Sequence, residues 1–294
     1  MSTSPDRSPA TEPWRPLTGR VALVTGAGRG LGYGVARALA RAGAAVGAAD
    51  IDAGELARAG AAIRSDGGAV RELRFDVSDP GACEGAVREL VARWGRLDIV
   101  VHAAILMPLI RFDATTPALW RRQIDISIGG LVNLTRSVWP VMASQGGGHL
   151  IGVASGSSVR GYHHEVVYCT AKHAQEGFVK ALALEAGPQR IAVNTIGPGA
   201  PIKPTGISWA ELEALPASER GAWADPVDLG RAFVWLAAQP PERFSGLRFD
   251  AGPIVRSLDA EGPDFAFAPE KVTLYVDDFV ARQRWMAAYP HMEP

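Results

Sequence analysis

The segment Thr25–Gly32, TGAGRGLG, decides the fold. It follows a short apolar run, RVALVT at 20–25, and leads into an alanine-rich run with helical periodicity, YGVARALARAG at 33–43. Its glycines remove side chains where the backbone must turn tightly, and the helix behind them directs free N–H groups and the positive end of its dipole at the turn. This order of strand, glycine turn and helix predicts a backbone cradle for the phosphates of a dinucleotide.

Short apolar runs alternate with helical runs along the rest of the chain. Several helices have a clear start signal, because a capping side chain stands just before a proline at Asp79, Thr116 and Asp225. Strands that alternate with helices predict a doubly wound α/β fold, in which helices cover both faces of a parallel sheet in three layers. The predicted strands are 20–25, 44–49, 69–76, 97–103, 148–155, 190–196 and 246–252.

Composition limits the partners and the cellular location. The chain has 294 residues, 21% of them charged, and a net charge of -1, so nothing in its charge favours a nucleic-acid or membrane partner. No apolar run is long enough to span a bilayer, and the start lacks the apolar core of a secretory signal. Two distant cysteines, Cys83 and Cys169, favour a reducing cytoplasm over a disulfide framework.

Composition shifts only near the two ends of the chain. We predict a disordered lead at 1–16, a single domain at 17–255 and a C-terminal extension at 256–294. Within the extension, the apolar spacing of KVTLYVDDFVARQRWMAAYP at 271–290 is compatible with an amphipathic helix that docks on its own subunit or on a neighbour. A tail that merely covers exposed core is an equal alternative.

Asp50 indicates which dinucleotide binds. It ends the second predicted strand twenty residues past Gly30, the spacing expected for a carboxylate that binds the hydroxyls of an adenosine ribose. A 2′-phosphate there would be repelled, since two like charges ~4 Å apart cost about 1 to 4 kcal/mol. Arg29 in the glycine loop is the counter-signal, because it could pair with that phosphate. We predict NAD, with NADP as the less favoured alternative.

Tyr168 and Lys172 lie one helical turn apart in VVYCTAKHA at 166–174. Such a pair is often an ordinary helix face whose polar tips reach solvent. It is also the pattern of a phenol tuned to move protons, because a nearby ammonium favours the phenolate. The nine residues alone leave both interpretations open.

Together these motifs resemble the short-chain dehydrogenase/reductase family, in its compact single-domain branch with a Rossmann fold. The resemblance covers about 17–255. Ser155 precedes Tyr168 by thirteen residues, a spacing typical of the family. The motifs that carry the resemblance are TGAGRGLG, Asp50, FDV at 75–77, LDIVV at 97–101, Ser155, YCTAK at 168–172 and IGPG at 196–199.

The resemblance implies a role for each polar residue of the site. Tyr168 would be the general acid in ketone reduction and the general base in alcohol oxidation, and Lys172 would lower its pKa and bind the nicotinamide ribose. Ser155 would hold the substrate oxygen. Ser127 would stand where a helix asparagine often anchors a relay water. No metal site is expected, because the histidines are scattered without a ligand pattern.

The resemblance also implies the residues that bind the cofactor. Asp76 and Val77 resemble the pair that contacts adenine. The implied cofactor-binding residues are Gly26, Arg29, Gly30, Leu31, Gly32, Asp50, Ile51, Asp76, Val77, Ala103, Ala104, Tyr168, Lys172, Pro198, Gly199 and Pro201.

Two segments near the predicted nicotinamide end depart from the family pattern. HAAI at 102–105 stands where Asn-Asn-Ala-Gly is usual, so we expect this turn to be rebuilt. After Pro198 and Gly199, ungapped counting puts Pro201 where a backbone N–H is usually offered, and proline has none. Thr205 could take the usual threonine role if the loop is two residues longer.

The predicted function follows from the resemblance. The segment 204–223 falls where the family places a lid, and Trp209 with Leu106 and Met107 would give a partly apolar pocket. We expect an NAD-dependent oxidoreductase that acts on a secondary alcohol or ketone with a ring or medium-sized apolar frame. The alternatives are an NAD-using epimerase or dehydratase without net redox, and a catalytically decayed scaffold. A homodimer or homotetramer is implied, paired through helices near 118–143 and 166–186.

Overall fold

The computed structural model describes residues 14–203, 209–216 and 223–267. Within these ranges seven parallel strands form one sheet in the order β3-β2-β1-β4-β5-β6-β7. The chain winds outward from the centre, first to β3 and then from β4 to β7. The predicted doubly wound α/β sheet, a Rossmann fold, is therefore confirmed.

Each strand lies within two residues, at either end, of one of the predicted runs. Every residue of β1, β4 and β6 is buried, as expected for strands covered on both faces. The strand bounds are β1 Val21–Thr25, β2 Ala45–Asp50, β3 Val70–Arg74, β4 Ile99–His102, β5 Gly148–Val153, β6 Ile191–Gly197 and β7 Arg248–Asp250.

The predicted helix starts are also confirmed. The Asp79 carboxylate accepts hydrogen bonds from two backbone N–H groups of the first turn, and Thr116 and Asp225 each accept one. The helix bounds are α1 Gly30–Arg41, α2 Ala53–Ser65, α3 Pro80–Trp94, α4 Pro117–Ile124, α5 Gly130–Ser144, α6 Val166–Ala186, α7 Trp209–Ala214, α8 Pro226–Ala237 and α9 Ala251–Glu261.

Helices cover both faces of the sheet. Apolar residues of α1, α2, α8 and α9 form the core on one face, and those of α3, α5 and α6 form the core on the other. Helices α1 and α8 cross closely, because a Cβ at Gly34 would lie 2.0 Å from the carbonyl oxygen of Pro226. This crossing fixes α1, and with it the glycine turn, against the sheet.

A π-helical turn, Asp125–Gly129, joins α4 to α5. It interrupts the helix expected near 118–143. The wider turn changes the direction of the backbone carbonyls, and Ser127 is buried inside it.

The end of the described chain packs on the sheet. Helix α9 is followed by Phe265, whose ring stacks on that of Trp235 with centroids 4.9 Å apart. Residues 256–267 of the predicted extension thus form the end of α9 and part of an aromatic cluster. The predicted tail helix at 271–290 and most of the predicted lead, residues 1–13, lie outside the described residues. No helix in the described ranges is long and apolar enough to cross a membrane.

Candidate active site

A cleft runs along the edge of the sheet where the parallel strands end. Ligands bind at this edge in doubly wound sheets, near the point between β1 and β4 where the strand order reverses. Three predicted residues do not line the cleft, namely Ser127, Gly199 and Pro201. The predicted residues that do line it are Gly26, Arg29, Gly30, Leu31, Gly32, Asp50, Ile51, Asp76, Val77, Ala103, Ala104, Ser155, Tyr168, Lys172 and Pro198.

The glycine turn presents bare backbone to the cleft. A Cβ at Gly32 would lie 2.1 Å from the carbonyl oxygen of Gly26, so only glycine permits this tight packing. Gly30 has φ of 56°, and a Cβ there would meet no protein atom within 4 Å. Arg29, at the N-cap of α1, makes no side-chain capping bond. The first N–H groups of α1 are thereby left for an anion, and the turn fits a pyrophosphate.

Asp50 is held at the same edge by backbone hydrogen bonds. Its Oδ2 accepts from the N–H of Gly28 at 2.9 Å and its Oδ1 from the N–H of Asp52 at 3.0 Å. Arg29 and Lys203 line the cleft with it, and burial followed by the charge of Arg29 lowers the pKa of Lys203. The carboxylate is therefore fixed in place, and two cations accompany it.

Asp76 is engaged by an arginine that the sequence did not reveal. Arg122 of α4 donates to Asp76 Oδ2 at 2.5 Å and to Ser78 Oγ at 2.7 Å, and it lines the cleft. Although burial acts in the opposite direction, hydrogen bonds from Arg122 and Ser78 hold the pKa of Asp76 below its ordinary value. The end of the cleft predicted for adenine thus carries a guanidinium besides the expected carboxylate.

Ser155, Tyr168 and Lys172 meet at the other end of the cleft. Helix α6 carries Tyr168 and Lys172, which are only 9% and 3% exposed, and Lys172 Nζ lies 5.6 Å from the centroid of the Tyr168 ring. Ser155 follows β5, where its hydroxyl accepts from the N–H of Ser157 at 3.2 Å. Arg248 of β7 donates to the Ser155 carbonyl at 3.2 Å, which fixes the backbone there.

Burial dominates the titration of this group. Burial raises the pKa of Tyr168 to about 12, against a hydrogen bond with Ser155 that lowers it. Burial also lowers the pKa of Lys172 to about 7. Without the positive nicotinamide ring, desolvation thus outweighs any support that Lys172 gives the phenolate, and the predicted lowering of the Tyr168 pKa by Lys172 and the nicotinamide together stays a prediction.

Three comparisons with known proteins bear on the identity of a chain with this cleft. The sequence model of the family described as short chain dehydrogenase matches residues 20–213, about two thirds of the chain. The chain belongs to the short-chain dehydrogenase family. As a member of that family it is an oxidoreductase.

Relatives of this short-chain dehydrogenase are named dehydrogenases and reductases. It is 30% identical to D-threitol dehydrogenase of Mycolicibacterium smegmatis over 78% of this chain and 90% of that protein. It is 32% identical to the 3-alpha-(or 20-beta)-hydroxysteroid dehydrogenase of Mycobacterium tuberculosis over 87% and 98%.

Solved structures of the same fold contain both nicotinamide cofactors. Carveol dehydrogenase from Mycobacterium avium, in complex with NAD, superposes with a TM-score of 0.72 at 26% identity over 82% of this chain and 99% of that one. A Shigella flexneri short-chain dehydrogenase complexed with NADP gives 0.71 at 26% identity over 82% and 100%.

His102 rebuilds the turn after β4 in this short-chain dehydrogenase. Its Nε2 lies 2.9 Å from the carbonyl of Ser127, which can only accept, so Nε2 carries the hydrogen. Its Nδ1 then accepts from Thr25 Oγ1 at 3.0 Å. Burial lowers the pKa of His102 to about 4, so the ring is neutral near pH 7. The ring thus ties β1 and β4 to the π-helical turn.

Ser127 contributes its backbone rather than its hydroxyl. The Ser127 hydroxyl is buried and has no hydrogen-bond partner among the described residues. Its carbonyl accepts from His102 and also from Gln175 Nε2 at 2.7 Å. Gln175 was missed by the sequence analysis, although it shares the helix face of Tyr168 and Lys172, three residues after the lysine.

Gly199 and Pro201 serve the loop that leads to the predicted lid. Gly199 has φ of 56°, and a Cβ there would lie 2.6 Å from Asp250 Cβ. The carbonyl of Pro201 accepts from the N–H of Ala224 at 2.8 Å, which closes the base of the segment 202–223. Helix α7 falls within the predicted lid, most of whose remaining residues, including Thr205, lie outside the described ranges.

Further residues line the cleft beside the predicted ones. His163 and His164 lie between Ser155 and Tyr168 in the sequence, but neither lines the cleft formed by the described residues. The described ranges hold no cluster of three or more His, Cys, Asp or Glu side chains able to bind a metal ion. Lining residues that were not among the predicted site residues are Ala49, Phe75, Ile105, Arg122, Ile126, Val153, Ala154, Ile202 and Lys203.

Proposed function

We propose that this protein is an NAD-dependent dehydrogenase or reductase that transfers a hydride between nicotinamide and a secondary alcohol or ketone. The observation that carries the proposal is the placement of Ser155, Tyr168 and Lys172 in one cleft with the bare glycine turn. A decayed scaffold need not keep three polar groups together at the end of a dinucleotide cleft. The family membership supplies the reaction class.

The chain's own residues would position the substrate and move one proton. The Ser155 hydroxyl would hydrogen-bond the substrate oxygen. Tyr168 Oη would take the hydroxyl proton during alcohol oxidation and return it during ketone reduction. Bound nicotinamide supplies the site that accepts or donates the hydride. Since burial raises the pKa of Tyr168 to about 12, removal of the alcohol proton by the Tyr168 phenolate needs further positive charge near the ring or a high pH.

NAD rather than NADP is part of the proposal. The support is the fixed Asp50 carboxylate, whose backbone bonds prevent it from turning away from a ribose. Arg29 and Lys203 favour NADP instead, because both are cationic, line the cleft and could bind a 2′-phosphate. We give Asp50 the greater weight, because it ends β2 beside the glycine turn, where a carboxylate binds the ribose hydroxyls of NAD. Titration of protein fluorescence with NADH and NADPH compares the two dissociation constants directly.

The proposed substrate has a ring or a medium-sized apolar frame. The support is that Ile105, Ile126 and Ile202 line the cleft and give it aliphatic surface. Relatives named for a hydroxysteroid and for carveol are consistent with this class, whereas the relative named for D-threitol is not.

A panel of cyclic and aliphatic alcohols, each offered with NAD, tests the activity. We expect NADH to accumulate in proportion to the ketone formed, fastest with the cyclic alcohols. Product formation with only catalytic amounts of NAD, and without accumulating NADH, would instead establish an epimerase or dehydratase. Activity confined to small, highly charged substrates would overturn the proposed substrate class.

Assembly as a homodimer or homotetramer and a cytoplasmic location complete the proposal. On α6, the apolar side chains of Val166 and Leu184 are exposed in the single chain, as a helix-pairing surface requires. Light scattering coupled to size-exclusion chromatography distinguishes these assemblies from a monomer.

A further inference from the structure

A continuous buried chain of hydrogen bonds runs behind Lys172. Lys172 Nζ donates to Gln175 Oε1 at 3.0 Å, and Gln175 Nε2 donates to the carbonyl of Ser127 at 2.7 Å. The same carbonyl accepts from His102, whose ring accepts from Thr25. Four of the five residues thus contribute side chains that are at most 3% exposed, and the fifth contributes a buried carbonyl.

Gln175 is the member of this chain that packing alone does not explain. It is only 1% exposed, on the helix face that also carries Tyr168 and Lys172. Both ends of its amide are used, one by a cationic donor and one by a carbonyl acceptor. A carboxamide can accept from an ammonium through its oxygen and donate to a carbonyl through its nitrogen at once.

The second contact of Lys172 completes the arrangement. Nζ also donates to the carbonyl of Val153 at 2.5 Å. An ammonium has three hydrogens, so the carbonyl of Val153 and the amide of Gln175 use two of them and one is left. The amide therefore fixes both the position of Nζ and the direction of its remaining N–H.

We propose that Gln175 is a positioning residue for Lys172, because the Gln175 carboxamide ties the ammonium directly to the π-helical turn. The proposal rests on the proposed function, because it concerns the same reaction. It goes beyond that function in assigning a role to a residue that touches neither the substrate nor the cofactor. A protein amide holds Lys172 without the exchange and disorder of a water molecule.

Two substitutions separate this role from simple packing. Gln175→Met fills the volume with an apolar side chain and excludes water. Gln175→Ala leaves room for one or two waters, at about 30 Å³ each, between Lys172 Nζ and the Ser127 carbonyl. A water there would restore the link. Gln123→Met is the matched control, since Gln123 is equally buried, does not line the cleft and has a carboxamide nitrogen without a partner in the described structure.

A space-filling role and a positioning role for Gln175 predict opposite orders of kcat for the alanine and methionine variants. If Gln175 only fills space, the alanine variant is the more damaged one in both stability and turnover, because it leaves a cavity. If Gln175 positions Lys172, the methionine variant melts higher than the alanine variant but turns over at least tenfold more slowly than wild type. We then expect the alanine variant to stay within about threefold of wild type in kcat, with KM for the alcohol nearly unchanged in all variants.

The pH profile gives a readout that a structural role would not move. Tyr168 and Glu176 on α6, His102 on β4 and, beside Glu176, Arg248 on β7 are the titratable and charged groups around Lys172. None of them is changed by the substitutions. In the methionine variant the ammonium loses an acceptor, so less positive charge supports the phenolate, and the rising limb for alcohol oxidation should move to higher pH.

Two measurements test the connection from Lys172 through Gln175 to Ser127 without measuring turnover. They remain decisive even if the proposed dehydrogenase activity is not found. The NADH dissociation constant should rise at least fivefold in Gln175→Met and stay near wild type in Gln175→Ala and Gln123→Met. A crystal structure of Gln175→Ala should show a water between Lys172 and Ser127. Equal NADH affinities in all variants together with a dry cavity, or a kcat order that follows the melting order, would overturn the proposal.

Discussion

Gly30→Ala tests the phosphate cradle against a matched substitution elsewhere. Gly30 and Gly67 have positive φ values, 56° and 79°, and a Cβ at either position would meet no protein atom within 4 Å. Alanine at either position must therefore adopt the same left-handed backbone, at a cost of about 1 to 2 kcal/mol. Only Gly30 lines the cleft, whereas Gly67 lies in the turn between α2 and β3.

We expect equal losses of stability and unequal losses of cofactor affinity. Urea unfolding should show both variants destabilised by about 1 to 2 kcal/mol. At Gly30 the added methyl group points into space that the pyrophosphate needs, so the NADH dissociation constant should rise at least tenfold, or about 1.4 kcal/mol. At Gly67 it should not change. Similar NADH affinities in the two variants would refute the assignment of the glycine turn as the phosphate site.

Three further predictions concern charge. Asp50→Asn removes the carboxylate that disfavours a 2′-phosphate, so the NADPH dissociation constant should fall about tenfold relative to that of NADH; an unchanged ratio contradicts the assignment. Arg122→Met removes the partner of Asp76, and we expect fluorescence titration to show NADH binding weakened by up to about fivefold. His149 is buried with a pKa of about 4, against about 6.5 in the unfolded chain, so the folded protein binds fewer protons in that window. His149 should therefore contribute a decline of on the order of 3 kcal/mol in the unfolding free energy as the pH falls from 6.5 to 4, beside the contribution of His102, and His149→Gln should remove the His149 share.

Local patterns in the sequence predicted the fold well. The strands and the caps at Asp79, Thr116 and Asp225 depend on a few neighbouring residues; the caps were confirmed, and each strand bound was predicted to within two residues. The glycine turn was recognisable for the same reason. Its position between a strand and a helix is a local property, and the backbone requirement at Gly30 follows from it.

What the sequence did not reveal depends on contacts between distant segments. Arg122 meets Asp76 across 46 residues, and Gln175 meets Ser127 across 48. No local spacing encodes such pairs. The sequence showed that His102 departs from the family pattern. Its role depends on the π-helical turn, which no sequence pattern predicted. The rise that burial causes in the Tyr168 pKa was not foreseen, because the degree of burial cannot be read from the spacing of a phenol and an amine.

The most direct test of the central claim is single-turnover oxidation of an alcohol from the panel by wild type and Tyr168→Phe, both saturated with NAD and followed by NADH absorbance. Removing one hydroxyl from a buried ring should slow NADH formation by on the order of 10² to 10⁴. The NADH dissociation constant should remain within about twofold of wild type. NADH formation at the wild-type rate in the phenylalanine variant would contradict the account.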